Sequence, residues 1–570
     1  MAFNTYFFRA VLPWLFMALM GSSWVIGQVQ FPGEPLDGKV HWKAADVIYM
    51  LPPVDPLLVS AMVALDRENA RKPLHFAIER PVVLAPETSG SWQDVPGYRV
   101  WRVHVVSPGA RSLGLVFQPY RLEEGARVFV YDPDQREVRG AFTSRNNKRS
   151  GVLPVGHIHG EEVIVELQVP EWLTTHGELG IESVSHAFLD AGQCMDRNDC
   201  PPGEFGCSQA CEIDVNCPEG DDWQLVKRSV VRIFTVSQYC TGVLINNTAY
   251  DGQPYLLTAE HCINRDYDAD RSVFLFNYES PTCFGGNGSV EQSLSGCEIV
   301  ALGDSIDYSL VRLSLRPQQT YDVYYAGWNR LPIQTSPSTT IHHPWGDVKK
   351  ISFDNDRPVV PASRNDVPYP DLYDYFYSSY WWIRNWEIGS TEGGSSGSPL
   401  FENHQRIIGI LSGGVARCGD SVGYDPETDR VIYDNGYNYD DYFTRIASAW
   451  DYYQATGQAL EPWLDPLGSG AFVAGGYLPT GTTPAVEYPG NRYRLFPNPV
   501  SGTLYVEIDP SVQGPTRYAL FDLSGSRLRE GSLEGAVMNR IDTRSLSPGT
   551  YFISFISGGT MEHHRFLVAR

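Results

Sequence analysis

Three short stretches, far apart in the chain, carry side chains that can do covalent chemistry together. In YLLTAEHC, His261 follows an apolar run and precedes Cys262. In GDSIDYSLVRL, Asp307 stands just ahead of an alternating run, and in TEGGSSGSPL, residues 391 to 400, Ser396 lies in a glycine-rich turn ahead of RIIGIL. A serine hydroxyl ionises far above neutral pH, so it attacks a carbonyl only when a positioned imidazole takes its proton. The imidazole in turn needs a carboxylate that fixes its tautomer and steadies its cation. The glycines suit a turn whose backbone N–H groups converge on an oxygen that becomes negative during attack. Only Ser396 stands in an x-S-G register with Pro399 three residues on, which leaves Ser395 and Ser398 as scaffold. The N–H groups of Gly394 and Ser396 are the candidate oxyanion donors. Alone, a Gly/Ser loop reads as a linker and a His beside a Cys as structural; together, in this order on strand-like flanks, the three read as base, orienting acid and nucleophile.

These side chains need elements to hold them, and the chain supplies mainly strands. Its 570 residues exceed one core and suggest about three or four domains. With 12% aromatic residues, 53 Gly and 40 Pro, the composition leans towards strands and turns. Residues 28–190 lack cysteine and contain YRVWRVHVV, SLGLVF, ARVFVYD and EVIVELQV, a β-rich, sandwich-like region with a helical PLLVSAMVALDRENARK ahead of it. Residues 191–478 alternate short β-runs (SVVRIFTV, TGVLIN, YSLVRLSL, RIIGILSGG) with long loops and hold the three reactive stretches. Residues 479–491 read as a Pro/Gly/Thr-rich linker, and 492–570 as a small β-sandwich.

The formal charge of −23 disfavours nucleic acid and anionic membranes as partners and suits a soluble surface. Residues 1–27 place Arg9 ahead of an apolar run and small residues, the pattern of a secretory signal peptide; Pro13 and the lack of a basic flank argue against a retained anchor, and no later segment could span a bilayer. Ten cysteines, all between Cys194 and Cys418, fit an oxidising compartment and disulfide stapling. Zinc is the competing reading, but Cys207-x3-Cys211 finds no partner pair, and the histidines of HIHG (His157, His159), HHP (His342, His343) and EHHR (His563, His564) are scattered.

The chain order His, Asp, Ser is that of chymotrypsin-type enzymes. From about Ala210 to Gly475 the sequence resembles the secreted bacterial lysyl endopeptidases, a trypsin-like family. The likeness includes CEIDVNCPEGD, CTGVLINNTAYDGQPYLLTAEHC, FNYESPTC, YAGWNR, IHHPWGDVKKIS and PWLDP. It implies a chymotrypsin-like double β-barrel with the triad His261, Asp307 and Ser396 in the cleft, protein or peptide substrates, and no metal or organic cofactor. It further implies the disulfides Cys211–Cys418, Cys217–Cys283 and Cys240–Cys262. Cys194, Cys200, Cys207 and Cys297 are extra, and their pairing stays open.

The aspartate that trypsin carries six residues before its nucleophile is absent, since Ser390 stands there. Lysyl endopeptidases place the pocket carboxylate late; DDYFTRIASAW matches that region, putting Asp441 in register and Asp440 beside it. A buried carboxylate would bind a lysine or arginine side chain and leave an uncompensated charge under an apolar one. The pocket thus comprises Asp441, Ser390, Ser412, Gly413 and Gly414, with LSGG as the edge that pairs with a substrate backbone. Ser412 replaces a histidine common in the family, so the sequence leaves Lys against Arg open. Trypsin zymogens mature when a new N-terminal ammonium pairs with an aspartate preceding the nucleophile; Ser395 occupies that place. The N-terminal region is therefore expected to act as a steric inhibitor or folding assistant, removed by cleavage between about 185 and 210, with Arg197 a candidate point. The tail YRLFPNPVSGTLYVEI…LSPGTYFISFISGG resembles the C-terminal sorting domain of the type IX secretion system of Bacteroidetes, implying that machinery as a partner and a secreted or cell-surface location. The alternative is a catalytically silent adhesin that kept the fold.

Overall fold

The computed structural model describes residues 33–36, 48–68, 74–189, 206–332, 334, 336–362, 377–419, 421–425, 430–433, 440–453, 456–479, 493–508, 512, 515–522, 527–533, 538–557 and 560–569. The signal-peptide, linker and Arg197 expectations, with Cys194 and Cys200, lie outside these residues.

The alternating segments form strands where the pattern places them. Tyr98–Val106, Arg127–Tyr131 and Glu162–Pro170 lie in a six-stranded sheet, and Ser112–Leu122 in a four-stranded one with Ala77–Leu84, Leu153–His159 and Gly177–Ala187. Both sheets contribute to one core: Trp101, Val103 and Val165 from the first meet Leu115, Phe117 and Val155 from the second. The period of two makes this possible, because each strand turns one row of side chains inward. The helix Pro56–Glu68 precedes this pair of sheets.

In the central region, an eight-stranded antiparallel sheet contains Val230–Phe234, Gln238–Leu244, Tyr255–Thr258, Val273–Phe276 and Tyr308–Leu313. Its outer strands, Ser293–Ser295 and Cys297–Gly303, are separated in sequence only by Gly296. Two edges joined by one residue must meet, so the sheet curls towards closure around Val231, Ile233, Leu244, Leu256, Phe274 and Val311. A nine-stranded sheet follows, built on Ser338–His342, Lys350–Asp354, Pro399–Glu402, Ile407–Gly414 and Asp441–Arg445. A shared core joins the two, with Val243, Leu257 and Leu310 of the first against Ile341, Phe401 and Ile410 of the second. This chymotrypsin-like pair of barrels sets the reactive stretches at its seam. Three disulfides staple it: Cys211–Cys418, Cys217–Cys283 and Cys240–Cys262. Cys207 and Cys297 are buried.

At the C-terminus, a three-stranded sheet starting at Tyr493–Phe496 and a four-stranded one ending at Thr560–Val568 enclose Leu504, Val506, Ile553 and Phe555. This unit touches the central one through an Arg406–Glu507 ion pair and through Tyr505 edge-on to Phe472. Among the described residues no helix is long and apolar enough to cross a membrane.

Candidate active site

His261 lies in the turn that leaves the strand Tyr255–Thr258, and the Cys240–Cys262 disulfide ties its neighbour to the adjoining strand. Asp307 ends the approach to Tyr308–Leu313 with φ of 61°, a left-handed conformation that turns the chain and leaves the carboxylate facing the histidine. Its Oδ1 accepts from the His261 backbone N–H at 3.1 Å, and both carboxylate oxygens lie 3.0 Å from His261 Nδ1. That geometry places a proton on Nδ1 and leaves Nε2 as the basic edge. Nε2 makes no hydrogen bond to a described residue. Asp307 is 3% exposed, so its charge acts in a poorly screened setting.

The loop bearing Ser396 is pressed against this pair. Thr241 N–H donates to the Ser396 carbonyl at 2.8 Å, and Cys262 Sγ lies 3.8 Å from the same oxygen. Gly397 has φ of 80°, and a Cβ there would fall inside contact distance of Thr258 Oγ1 and Thr241 O, so only glycine lets the loop approach the histidine strand this closely. Gly394 has φ of 90°; its carbonyl accepts from Thr241 Oγ1 at 3.0 Å, while its N–H donates to no described residue. Ser396 is fully buried.

Asp441 begins the strand Asp441–Arg445, which pairs with Ile407–Gly414 so that Asp441 faces Gly414 and Tyr442 faces Gly413. The carboxylate is fully buried; its Oδ2 accepts from Trp386 Nε1 at 2.8 Å and from Thr391 Oγ1 at 2.6 Å. A side chain at Gly414 would run into Asp441 Oδ1, so glycine there keeps the carboxylate uncovered on that side. Ser390 precedes Thr391, is buried, and its carbonyl accepts from Ser352 Oγ at 2.7 Å. Asp440 points elsewhere: its Oδ1 accepts from Trp382 Nε1 at 2.6 Å. Burial raises the Asp440 carboxyl, and the Asp441 charge adds to that rise.

The structure thus gathers His261, Asp307, Gly394 and Ser396 at one seam, and Asp441, Ser390, Gly413 and Gly414 at one strand edge beside it. Ser412, expected in the pocket wall, lies on the same strand, and its hydroxyl donates to Asp307 Oδ2. Thr444 Oγ1 also donates to the Ile306 carbonyl, bracing the same turn. Trp386 and Thr391 as donors to Asp441, and Ser412 as donor to Asp307, were missed in the sequence; the one available signal was a tryptophan and a threonine shortly before the nucleophile.

A reactive serine loop set against a His–Asp pair between two β-barrels is the plan of the trypsin-like serine proteases. Residues 205–429 match the family described as lysyl endopeptidase, C-terminal domain, and residues 494–569 match the secretion system C-terminal sorting domain. A lysyl endopeptidase of Pseudomonas aeruginosa is 28% identical over 281 residues, covering 46% of this chain and 57% of that protein. The aligned part thus spans little more than half of that relative. Among solved structures, kallikrein-related peptidase 10 aligns at 15% identity and a TM-score of 0.26, covering 40% of this chain and 95% of that one. A Glu endopeptidase in complex with MPD aligns at 13% identity and a TM-score of 0.25, covering 41% and 91%. The central domain is lysyl endopeptidase-like, and the tail is similar to a secretion-system sorting domain, which implies export to the cell surface or beyond.

Proposed function

We propose that the chain is the precursor of a secreted serine endopeptidase that cuts proteins after basic residues. The observation that carries this reading is the His261–Asp307 pair lying against the Ser396 loop through Thr241 and Cys262. Ser396 Oγ attacks the scissile carbonyl carbon while His261 Nε2 takes its proton; the same imidazolium then protonates the leaving amine. Asp307 holds the tautomer and steadies the cation, with Ser412 holding Asp307. The Gly394 and Ser396 N–H groups receive the oxyanion, and water, deprotonated by His261, releases the acyl group. Asp441 pairs with a lysine or arginine side chain at the subsite formed with Ser390, Gly413 and Gly414.

In this reading residues 28–190 form a pro-region, 191–478 the protease and 492–570 the sorting tail. The pro-region adds a short strand to the protease: His75 pairs with Gln238 and Leu74 with Tyr239, while Phe76 N–H donates to the Ser237 carbonyl at 2.9 Å. Phe76 stacks on Tyr239 with ring centres 4.0 Å apart. Flanking contacts are polar, with Arg271 on Glu182 at 2.5 Å and Tyr267 on Glu79 at 2.6 Å. The edge so occupied runs straight into Cys240 and Thr241 beside the nucleophile, and its occupation supports an inhibitory role for the pro-region.

A fluorophosphonate probe tests the core of the proposal: the processed protein should label, and Ser396→Ala should not. Failure of the processed wild type to label would leave the silent-adhesin reading standing. Mapping the peptides released from a denatured protein then reads the residue before each cut.

A further inference from the structure

The serine before the nucleophile does not lack a partner. Ser395 Oγ lies 2.7 Å from His342 Nδ1, and the other ring nitrogen, Nε2, lies 3.2 Å from Ser352 Oγ and 3.5 Å from a Glu212 carboxylate oxygen. The His342 and Glu212 side chains are both fully buried. Donors and acceptors along this row run in one direction. Ser352 O–H donates to the Ser390 carbonyl at 2.7 Å, so its oxygen accepts from His342 Nε2–H. Nδ1 is then the acceptor and takes the Ser395 hydroxyl hydrogen, while the Ser395 oxygen accepts from Glu392 N–H at 3.1 Å. Both nitrogens of the His342 ring are thus engaged, Nδ1 by Ser395 and Nε2 by Ser352, with the Glu212 carboxylate beside Nε2.

The row also joins the first residues of the protease to the nucleophile turn. Glu212 follows Cys211, which is bonded to Cys418, and Gln209 N–H donates to Glu392 Oε2 at 2.9 Å. Further back, the buried Asp347 carboxylate accepts from Ser208 N–H at 3.0 Å and Ser208 Oγ at 2.6 Å. Lys350, 2.5 Å from Asp214, completes that anchor. The segment from Ser208 to Asp214 is therefore fixed by its own side chains and by a disulfide, with no demand on a terminal ammonium.

We propose that Glu212, His342 and Ser395 are positioning residues that hold the Glu392–Ser396 turn in the form that presents the Gly394 and Ser396 N–H groups. They take the place of the ammonium–aspartate pair that trypsin zymogens form on cleavage. This rests on the serine endopeptidase reading above. Its consequence is that removal of the pro-region uncovers a turn already set, rather than setting it.

The test compares processed wild type with Ser395→Ala and Glu212→Gln, the second variant serving where the first does not fold. Turnover of a P1-lysine peptide amide is measured alongside inhibition by a P1-lysine peptide aldehyde and the matching peptide alcohol. The aldehyde forms a tetrahedral adduct that needs the oxyanion donors; the alcohol needs only the pocket. The expected result is a kcat about 10- to 100-fold lower, KM within about threefold, and aldehyde affinity weakened alongside kcat while alcohol affinity stays. Wild-type kcat in the variants, or equal weakening of aldehyde and alcohol, overturns the proposal. A wild type without turnover overturns the endopeptidase reading instead, which separates the two failures. A protease carrying extra residues ahead of Gly206 is expected to keep the wild-type kcat, and a large loss would refute independence from the terminus.

Discussion

Replacing Asp441 by asparagine isolates the charge that is proposed to read the substrate. Asparagine keeps the volume and can still accept from Trp386 Nε1 or Thr391 Oγ1, which hold the carboxylate at 2.8 and 2.6 Å. What it removes is the negative charge. Breaking one side of a buried ion pair costs about 3–5 kcal/mol. At 1.4 kcal/mol per tenfold, kcat/KM for a P1-lysine peptide should fall by about two to three orders of magnitude, allowing for water that reaches the subsite. A P1-norleucine peptide, of similar length but without the ammonium, should change by less than about threefold or improve, because an apolar side chain no longer lies over a buried negative charge. The ratio of the two rates is the readout, since a general loss of folding lowers both. Asp440→Asn is the control: its side chain is held by Trp382 and turned from Asp441's donors, so the ratio should move by less than about threefold. If Asp441→Asn kept the lysine-to-norleucine ratio, or if Asp440→Asn abolished it, the assignment of the pocket floor would be wrong.

Three further outcomes follow from other contacts. Replacing both Cys240 and Cys262 by serine opens a bridge of sequence separation 22; stability should drop by about 3 kcal/mol in denaturant melts, with a lower kcat because His261 loses its tether. Phe76→Ala removes the ring stacked on Tyr239 and should weaken pro-region docking by about 2–4 kcal/mol, seen as faster release of the nicked pro-region and earlier activity. Acid should loosen the same contact. Burial, aided by the positive charges of His159, Arg139 and Arg232, pulls the His157 imidazole down to about 3. It bridges Ser112 and Ser185, and Ser185 donates to the Val236 carbonyl across the contact. The protease supplies part of this environment through Arg232 and Phe234, so His157 binds protons better when released, and docking weakens as pH falls below about 6.5. Docking should therefore be weaker at pH 5 than at pH 7.5, which size-exclusion of the nicked Ser396→Ala protein at the two pH values would measure.

The proposed triad could be picked out in the sequence because each member carries its own local signature. A histidine closing an apolar strand, an aspartate opening one and a serine between glycines are set by short-range geometry, and glycine at 394 and 397 is demanded by φ values of 90° and 80°. The strands of residues 98–170 were equally legible, since alternation of apolar residues is a local property. Their grouping into two sheets was not, because pairing depends on contacts far along the chain. Asp441 was reachable only through family likeness: nothing local distinguishes it from Asp440.

Ser412 shows where local reading stops. Its hydroxyl reaches Asp307 and not the neighbouring subsite because the pairing of Ile407–Gly414 with Asp441–Arg445 shifts register between Leu411 and Gly413. A slip of one residue changes which face of the strand a side chain takes. One irregularity therefore places a hydroxyl on the Asp307 carboxylate while leaving Gly413 and Gly414 opposite Tyr442 and Asp441. In the proposed reading the same strand serves both the chemistry and the selectivity, so restoring regular pairing there is expected to damage the two together, whereas Asp441→Asn is expected to alter the selectivity alone.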